Sequence, residues 1–289
     1  MVNLATHWRL RTQSLPLPHP GGAIRRPLLM GIVNATPDSF SDGGRHDSVE
    51  AAVAHGMRLA ADGADILDVG GESTRPFSTP VTLDEELRRV SEVVERLAAE
   101  SGVPVSIDTS KAAVAARAMA LGAEIINDVT GLEGDPAMLR VARDSGAGVC
   151  AMHMRGTPLS MQIDPQYDDV VAEIHTYLAA RRDALVAAGV PLEHICLDPG
   201  IGFGKTHAHN RALMDHAHIF LDLGTPILVG HSRKGFIAKS LEQSLGRPPT
   251  RDELDAGTAA AACDLAAQGI QIIRVHAVGT VRAALDSKK

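Results

Sequence analysis

The chain has 289 residues, and its 28 basic and 35 acidic side chains give a formal charge of −7 at pH 7. Apolar residues make up 45% and charged residues 22%, a composition typical of globular proteins. The negative balance argues against a nucleic-acid-binding or membrane-surface protein, because both classes favour basic patches. No apolar stretch approaches the ~18–20 residues that a membrane-spanning helix needs. The length fits two ordinary domains or one large α/β barrel.

Residues 1–26 differ in composition from the rest of the chain. They contain four arginines and no acidic residue, and residues 16–22 are rich in proline and glycine. An Arg-rich, acid-free leader can be a transit peptide, but no cleavage pattern follows this one. We therefore expect a short N-terminal extension or a strand that caps the domain.

The three cysteines indicate the redox environment. Cys150, Cys196 and Cys263 are far apart in the chain, show no C-x-x-C spacing and lie in apolar segments. Such cysteines are typical of buried, reduced thiols in a cytosolic protein, so we expect a cytoplasmic location.

From Pro27 onward the chain repeats one pattern: a short apolar run, a polar or glycine-rich break, and an alanine-rich helical stretch. The runs are nearly continuously apolar, which is typical of strands buried on both faces. We predict strands at Leu28–Val33, Asp65–Val69, Val103–Ile107, Glu124–Ile126, Gly148–Met152, Ile195–Leu197, Ile227–Val229 and Gln271–Val275. We predict helices at Ser48–Asp62, Leu83–Glu100, Lys111–Leu121, Asp168–Ala188 and Arg251–Gln268. The predicted N-caps are Asp47 or Ser48 for the first helix, Thr82 for the second and Ser110 for the third.

Eight strands that alternate with helices, without a break in composition, favour a parallel sheet closed on itself. The fold class is therefore α/β, a (β/α)8 TIM barrel in a single domain at residues 27–285, preceded by the extension at 1–26. An open doubly wound sheet is the alternative. Its dinucleotide-binding fingerprint should follow the first strand, and Gly31–Thr36 does not match that pattern.

The barrel assignment predicts where the function lies, because active groups in such barrels gather at the carboxyl ends of the strands. All eight predicted strand ends carry polar side chains. These are Asn34, Glu72, Asp108, Asn127, His153, Asp198, His231 with Ser232, and Arg274 with His276. Structural caps explain a few of these residues but not a complete ring.

The ring has two chemical halves. Asp108, Asn127 and Asp198 supply acceptors and amide groups that suit the donor-rich edge of a planar heterocycle. The other half suits an anion, and it comprises Arg274, His276, Lys234, the Asn34 amide and the Ser232–Gly235 turn that opens a helix. The strand-end residues therefore predict a ligand that consists of an amino-substituted heterocycle and a phosphate group. We expect Mg²⁺, which keeps most of its waters, to accompany the phosphate.

Two further motifs carry less weight. Gly200–Thr206 resembles a P-loop, but Pro199 stands where the pattern needs its first glycine. His207, His209, His216 and His218 form two H-x-H pairs, and residues two apart do not share a helix face, so a solvated helix surface is favoured over a metal site. His153 lies between two methionines, which favours a hydrogen-bonded pocket wall over a metal ligand.

Seven short segments, in order across residues 27–285, resemble the signatures of bacterial dihydropteroate synthases. They are Gly31–Gly44, Gly70–Pro76, Ser106–Thr109, Asn127–Val129, Leu197–Phe203, Ser232–Lys234 and Arg274–His276. The resemblance implies a transferase of folate biosynthesis that condenses 6-hydroxymethyl-7,8-dihydropterin diphosphate with 4-aminobenzoate to give 7,8-dihydropteroate and diphosphate. It also implies Mg²⁺ as cofactor, sulfonamides as inhibitors, and a homodimer that binds small-molecule substrates.

The resemblance also implies roles for individual residues. The residues that it implies for pterin binding are Asp108, Asn127, Asp198, Lys234, Met152, Phe203 and Gly230. The diphosphate and the loops that close over it involve Asn34, Thr74, Arg274 and His276, with Asn34 also on the Mg²⁺. The 4-aminobenzoate pocket comprises Phe40, Arg75, Pro76, Lys234 and Gly235. The implied catalytic residues are Asp42, Arg274, His276 and Lys234.

This chain departs from the family pattern at three positions. Phe77 replaces a usual glycine, Gly235 stands where a serine often follows Ser-Arg-Lys, and Ala277 stands where an aspartate is common. Three other functions remain open. They are a corrinoid-type pterin-dependent methyltransferase, a metal-dependent barrel hydrolase that uses the histidines, and a non-catalytic pterin-binding paralogue or structural homodimer.

Overall fold

The structure is a computed structural model that describes residues 4–19, 22, 26–36 and 45–287, with the backbone alone described at residues 45–47. Its strands are β1 (His7–Arg9), β2 (Ser14–Pro16), β3 (Leu28–Asn34), β4 (Ile66–Gly70), β5 (Val105–Asp108), β6 (Ile125–Asp128), β7 (Gly148–Met152), β8 (Ile195–Asp198), β9 (Leu228–Val229) and β10 (Ile272–Val275). Its α-helices are α1 (Arg45–Ala61), α2 (Leu83–Glu100), α3 (Ala112–Ala120), α4 (Met138–Ser145), α5 (Val170–Ala187), α6 (His207–Asp215), α7 (Gly235–Leu245), α8 (Arg251–Ala267) and α9 (Val278–Asp286). Within the described residues, none of these helices is both long and apolar enough to cross a bilayer.

Strands β3 to β10 form a parallel sheet that closes into a barrel. The strand order in the described part of the chain is β8-β7-β6-β5-β4-β3-β10-β9. An isolated parallel bridge between Leu197 and Ile227 joins the two ends of the sheet, and the Leu197 N–H donates to the Pro226 carbonyl at 3.0 Å. The predicted (β/α)8 barrel is confirmed, and each predicted strand end lies within two residues of the observed one.

The interior of the barrel is layered, because side chains along a strand alternate between its two faces. The lower layer is an apolar cluster separate from the core between strands and helices. The cluster includes Leu28, Met30, Ile66, Ile125, Cys150, Cys196, Leu228 and Ile272. Two residues further along six of these strands, the next inward layer consists of Asp68, Asn127, Met152, Asp198, Gly230 and Arg274. The fold therefore places a polar layer directly above an aliphatic one.

The helix starts show which predicted caps form. Thr82 caps α2 as predicted, with its Oγ1 accepting from Glu85 N at 3.4 Å. The prediction for α1 was wrong, because the helix begins at Arg45, upstream of both proposed caps. Ser110 does not cap α3 either. The Ala112 N–H instead donates to the carboxylate of Asp135, from the segment before α4, at 2.9 Å.

The described part of the N-terminal extension covers the lower end of the barrel. Strands β1 and β2 pair antiparallel, with Trp8 opposite Leu15. Trp8, Leu10 and Leu17 are buried in the lower apolar cluster, and the Trp8 indole N–H donates to the His194 carbonyl at 2.9 Å. The hairpin therefore seals the aliphatic layer from water.

We expect Trp8→Ala to lower the free energy of unfolding by about 3–5 kcal/mol, because it removes a fully buried aromatic ring. Urea denaturation followed by circular dichroism measures the change. His7→Ala, at the exposed neighbouring position, is the matched control and should change stability by less than about 0.5 kcal/mol. Equal stability of the two variants would show that the hairpin does not seal the barrel.

Candidate active site

Arg274 on β10 reaches across the barrel mouth to two carboxylates. Its Nε lies 2.6 Å from Asp68 Oδ2, and its Nη2 lies 2.7 Å from Asp108 Oδ2. The Asn127 side-chain amide donates to the same oxygen of Asp68 at 3.1 Å. Asp68 is fully buried, and Asn127 is 5% exposed. The structure thus brings together Arg274, Asp108 and Asn127, all selected from the sequence, around Asp68, which was not.

Asp68 is not predicted as a site residue because it lies inside a strand whose other residues are apolar, and not at the end of that strand. The signal that identifies it is the two-residue alternation. Ile66 points into the lower apolar layer, so Asp68, two residues later, also points inward. A charged residue at an inward position of a buried strand needs a partner, and Arg274 is that partner.

The two other carboxyl groups of the site carry altered proton affinities. Burial raises the pKa of Asp108 to about 7, against the attraction of Arg274, and Asp68 adds to the rise. Burial also raises the pKa of Asp198, although the Gly200 N–H donates to its Oδ1 at 2.7 Å. For both carboxyl groups, the ionised and the neutral form are therefore closer in energy at neutral pH than they are for an exposed carboxyl group.

Lys234, at the N-cap of α7, is a second, partly buried basic group of the site. Its ammonium lies 4.5 Å from the centre of the Phe203 ring and donates to the Ile201 carbonyl. Burial lowers the pKa of Lys234 to about 7, opposed by the negative charge of Asp198. The structure thus brings Lys234 next to Phe203, both of which the resemblance assigns to pterin binding, with Asp198 near enough to influence the charge of Lys234.

The glycine-rich segment after β8 passes close to β7. Gly200 has φ +69°, and a Cβ there would lie 2.0 Å from the His153 carbonyl oxygen and 3.2 Å from Met152 Cγ. Gly202 has φ +87°, and a Cβ there would lie 2.9 Å from Lys234 Cδ. The two glycines therefore allow this segment of backbone to lie close to the His153 carbonyl and to the Lys234 side chain.

The Lys205 side chain points into the protein and is not placed to bind a phosphate as the lysine of a P-loop does. Its ammonium is buried and donates to the Phe203 carbonyl at 2.8 Å, and it lies 3.0 Å from His153 Nδ1. Burial lowers the pKa of Lys205 well below its ordinary value, and burial lowers that of His153 to about 3. His153 is thus a neutral, hydrogen-bonded wall residue, as its sequence context favoured.

His276 follows β10 and lies beside Ser232. Ser232 Oγ accepts the His276 backbone N–H at 3.2 Å and lies 2.9 Å from the ring Nδ1. Since that oxygen already accepts one N–H, its own O–H can donate to Nδ1, which leaves the ring proton on Nε2. Burial, with Arg233 and Arg274, lowers the pKa of His276 to about 3. At neutral pH His276 is therefore a neutral donor, not the cation that its grouping with Arg274 suggested.

The loop after β4 brings further predicted residues to the rim. Thr74 and Asp108 line one cavity of about 240 Å³, whereas Arg75 and Pro76 are exposed. Phe77 has φ +64°, a left-handed conformation that glycine adopts freely, which explains the glycine usual in the family pattern. The Phe77 N–H donates to the Pro158 carbonyl at 2.9 Å and fixes this conformation.

Two other predicted site residues, Asn34 and Gly235, lie at the ends of secondary-structure elements. Asn34 ends β3 in register with Gly70, and its side-chain amide has no hydrogen-bond partner among the described residues. Gly235 is the first residue of α7. Asp42 and Phe40 lie outside the described residues.

Several polar strand-end residues serve the fold. Glu72 forms a salt bridge with Lys111, which also pairs with the buried Glu86 at 2.5 Å. His231 is fully buried, and its Nε2 lies 2.9 Å from the Thr258 carbonyl oxygen. Among the described residues, no group of three or more His, Cys, Asp or Glu side chains is arranged to hold a metal ion.

Comparisons with known proteins agree on one family. The family model described as "Pterin binding enzyme" matches residues 30–276. The chain is 44% identical over 272 residues to the dihydropteroate synthase of Neisseria meningitidis serogroup C, a match that covers 91% of each chain. It resembles the structure of Xanthomonas albilineans dihydropteroate synthase with 4-aminobenzoic acid, at 44% identity and a TM-score of 0.87, over 98% of this chain and 97% of that one. It also resembles a Yersinia pestis dihydropteroate synthase in a sulfonamide drug complex, at 42% identity and a TM-score of 0.85, over 97% of each chain.

We expect Gly200→Ala to destabilise the protein by more than about 2 kcal/mol, because the added Cβ would require strained backbone and collide with the His153 carbonyl. Thermal denaturation measures the loss. Gly230→Ala is the control, since its Cβ would come no closer than 3.8 Å to Arg274. We expect that control to stay within about 1 kcal/mol of the parent. A Gly200→Ala protein as stable as the control would contradict the described path of this segment.

Proposed function

This chain belongs to the dihydropteroate synthase family of pterin-binding enzymes, and we propose that it condenses 6-hydroxymethyl-7,8-dihydropterin diphosphate with 4-aminobenzoate. The products are 7,8-dihydropteroate, a precursor of folate, and diphosphate, which makes the enzyme a transferase. The observation that carries the proposal is the buried network of Arg274, Asp108, Asn127 and Asp68 in the barrel mouth. It offers hydrogen-bond acceptors to an amino-substituted ring and a permanent cation to the leaving group.

The pterin ring is proposed to bind against Asp108, Asn127 and Asp198. Carboxylate and amide oxygens accept from the ring amino group and ring N–H, and burial strengthens each of these hydrogen bonds. Lys234 can donate to an acceptor on the same ring, and Phe203, which lies under its ammonium, can contact the ring face. Met152 and Gly230, next to these side chains in the inward layer, complete the proposed slot.

The diphosphate is proposed to bind at Arg274, His276, Asn34 and Thr74. Although burial disfavours the charged form, Asp68 and Asp108 raise the pKa of Arg274 above its ordinary value, so the guanidinium keeps its charge. The Nε2–H of neutral His276 is a directed donor for a phosphate oxygen. These groups favour the departing anion because they are held in place before the reaction.

The donor set at Asn34 fits Mg²⁺. This ion takes oxygen ligands, retains several waters and usually binds through one or two carboxylates plus substrate phosphates, and in this proposal the amide oxygen of Asn34 takes the place of a carboxylate. The Asn34 side-chain amide has no hydrogen-bond partner among the described residues, so its oxygen is available to the ion. When bound, Mg²⁺ would neutralise charge on the diphosphate oxygens.

The proposed reaction needs no covalent enzyme intermediate. The C–O bond between the exocyclic methylene and diphosphate breaks, and its electron pair leaves with diphosphate. The cation left on the methylene is stabilised by the electron-rich pterin ring and, in this proposal, by Asp42. The amine lone pair of 4-aminobenzoate then forms the C–N bond, and the proton of the resulting anilinium passes to solvent or diphosphate. Closure of the loop that carries Thr74 would exclude the water that competes for the cation.

The 4-aminobenzoate is proposed to lie between the loops and the start of α7, at Phe40, Arg75, Pro76, Lys234 and Gly235. Its carboxylate would meet backbone N–H groups at the N-terminus of α7, where the helix dipole favours an anion. Sulfonamides, one of which is bound by the Yersinia pestis relative, are expected to compete for this pocket.

We also propose a cytoplasmic homodimer. The three cysteines are buried and unpaired, which is compatible with a reducing compartment. The homodimer rests on the family resemblance, and light scattering of the purified protein tests it.

The function is tested by incubating the protein with the pterin diphosphate, Mg²⁺ and 4-aminobenzoate while diphosphate release is measured. Release that depends on the arylamine supports the proposal. Pterin binding without release would favour a non-catalytic paralogue, and methyl transfer from a methylated pterin would favour a methyltransferase. Release that is independent of the arylamine would favour a hydrolase.

We expect Arg274→Ala to lower kcat/KM by about 10²-fold or more, the scale of one lost electrostatic contact in the transition state. Arg274→Lys, which keeps the charge but cannot reach both carboxylates, should be intermediate. Steady-state kinetics measures both. Arg96→Ala on the surface of α2 is the control, and it should retain parental kinetics. A turnover within threefold of the parent in Arg274→Ala would remove Arg274 from the mechanism.

We expect pterin affinity to be greatest near pH 7. Asp108, whose pKa is about 7, becomes protonated as the pH falls and loses acceptor strength. Lys234, whose pKa is also about 7, loses its charge as the pH rises. Calorimetric titration from about pH 5 to about pH 9 should therefore show decreases on both sides, each of up to about tenfold per pH unit. Asp108→Asn should flatten the acidic side, and an affinity independent of pH in the parent would contradict the prediction.

A further inference from the structure

We propose that Asp68 is a specificity-determining positioning residue, which fixes the orientation of the Asn127 amide and thereby selects a ring with an amino group at C2. The proposal rests on the proposed pterin site and goes one step deeper. Asp68 does not itself face the ligand in this proposal; it acts through Asn127.

The orientation of the Asn127 amide follows from what Asp68 can do. Asp68 Oδ2 accepts from Arg274 Nε at 2.6 Å, so that oxygen is an acceptor. An amide oxygen turned towards it would set two acceptors against each other. Asn127 must therefore turn its NH₂ group to Asp68, as the 3.1 Å Nδ2–Oδ2 contact shows, and its carbonyl oxygen away.

Nothing else in the described part of the chain fixes this amide. The Asn127 side chain makes one hydrogen bond to described residues, the bond to Asp68. Asp68 Oδ1 is buried and has no partner among those residues, so Asp68 Oδ2 makes the contacts that orient both Asn127 and Arg274. Without Asp68, a half-turn of the amide would cost Asn127 no hydrogen bond.

The orientation matters because two related rings present opposite patterns at the same edge. Pterin has an acceptor at N1 and an NH₂ donor at C2, whereas 2,4-dioxopteridine has an N–H donor at N1 and a carbonyl acceptor at C2. An outward carbonyl of Asn127 matches the amino group of pterin and opposes the carbonyl of the dioxo ring. A reversed amide would match the dioxo ring instead. Asp68 thus converts an ambivalent side chain into a selective one.

Two substitutions separate this role from the charge of Asp68. Asp68→Ala removes the acceptor and frees the amide to turn. Asp68→Asn removes the charge but keeps an oxygen that can accept from both Asn127 Nδ2 and Arg274 Nε. Loss of charge alone would weaken both variants, whereas loss of orientation would change the selectivity of Asp68→Ala only.

The experiment is calorimetric titration of the parent and both variants with pterin and with 2,4-dioxopteridine. We expect the parent to favour pterin by about tenfold or more, the ratio set by one mismatched buried hydrogen bond. That preference should fall at least about tenfold in Asp68→Ala and stay within about threefold of the parent in Asp68→Asn. If Asp68→Ala does not fold, Asp68→Leu, which fills the space without an acceptor, takes its place.

The outcomes are distinguishable. An unchanged preference in Asp68→Ala, or an equal loss of preference in both variants, would overturn the role of Asp68 and leave the proposed function standing. A parent protein that binds neither ring would overturn both. Selective loss of preference in Asp68→Ala supports the proposal, since a merely structural role would weaken both ligands equally.

Discussion

The arrangement of the site depends on one partly buried guanidinium group, that of Arg274. Arg274 is paired with two carboxyl groups, that of Asp68 in the same inward layer and that of Asp108 at the end of β5. Removing Arg274 would leave two carboxyl groups without a counter-charge, one of them the fully buried Asp68, which is far more costly than an exposed unpaired charge. Because each group needs the others, the side chains are held in one arrangement before any ligand arrives, and such preorganisation is what electrostatic catalysis requires.

The aliphatic layer below the site controls its electrostatics. The lower interior is filled by apolar side chains and covered by the N-terminal hairpin, so water does not reach the polar layer from beneath. Burial then shifts acids and bases in opposite directions, which brings the pKa of Asp108 up and that of Lys234 down to about the same value. Burial of the polar layer thus sets the proton balance of the site.

Much of this could be predicted from sequence, for a physical reason. Strands buried on both faces must be continuously apolar, so their limits are visible, and in a barrel their carboxyl ends converge. Asp108, Asn127, Asp198 and Arg274 were found in that way. Asp68 was missed because it interrupts an apolar run, and the neutral state of His276 was missed because it depends on Ser232, whose contact exists only in the folded chain. The Ser110 cap failed similarly, since Asp135 competes from a different loop.

The N-terminal hairpin has a consequence for how the chain acquires its structure. The carbonyl that the Trp8 indole binds belongs to His194, 186 residues later in the chain, and Leu10 packs over Gly148 at the start of β7. Contacts of such long sequence separation form late. The hairpin is therefore synthesised well before the segments against which it packs, and its tryptophan stays undocked until the segment that carries His194 has been translated.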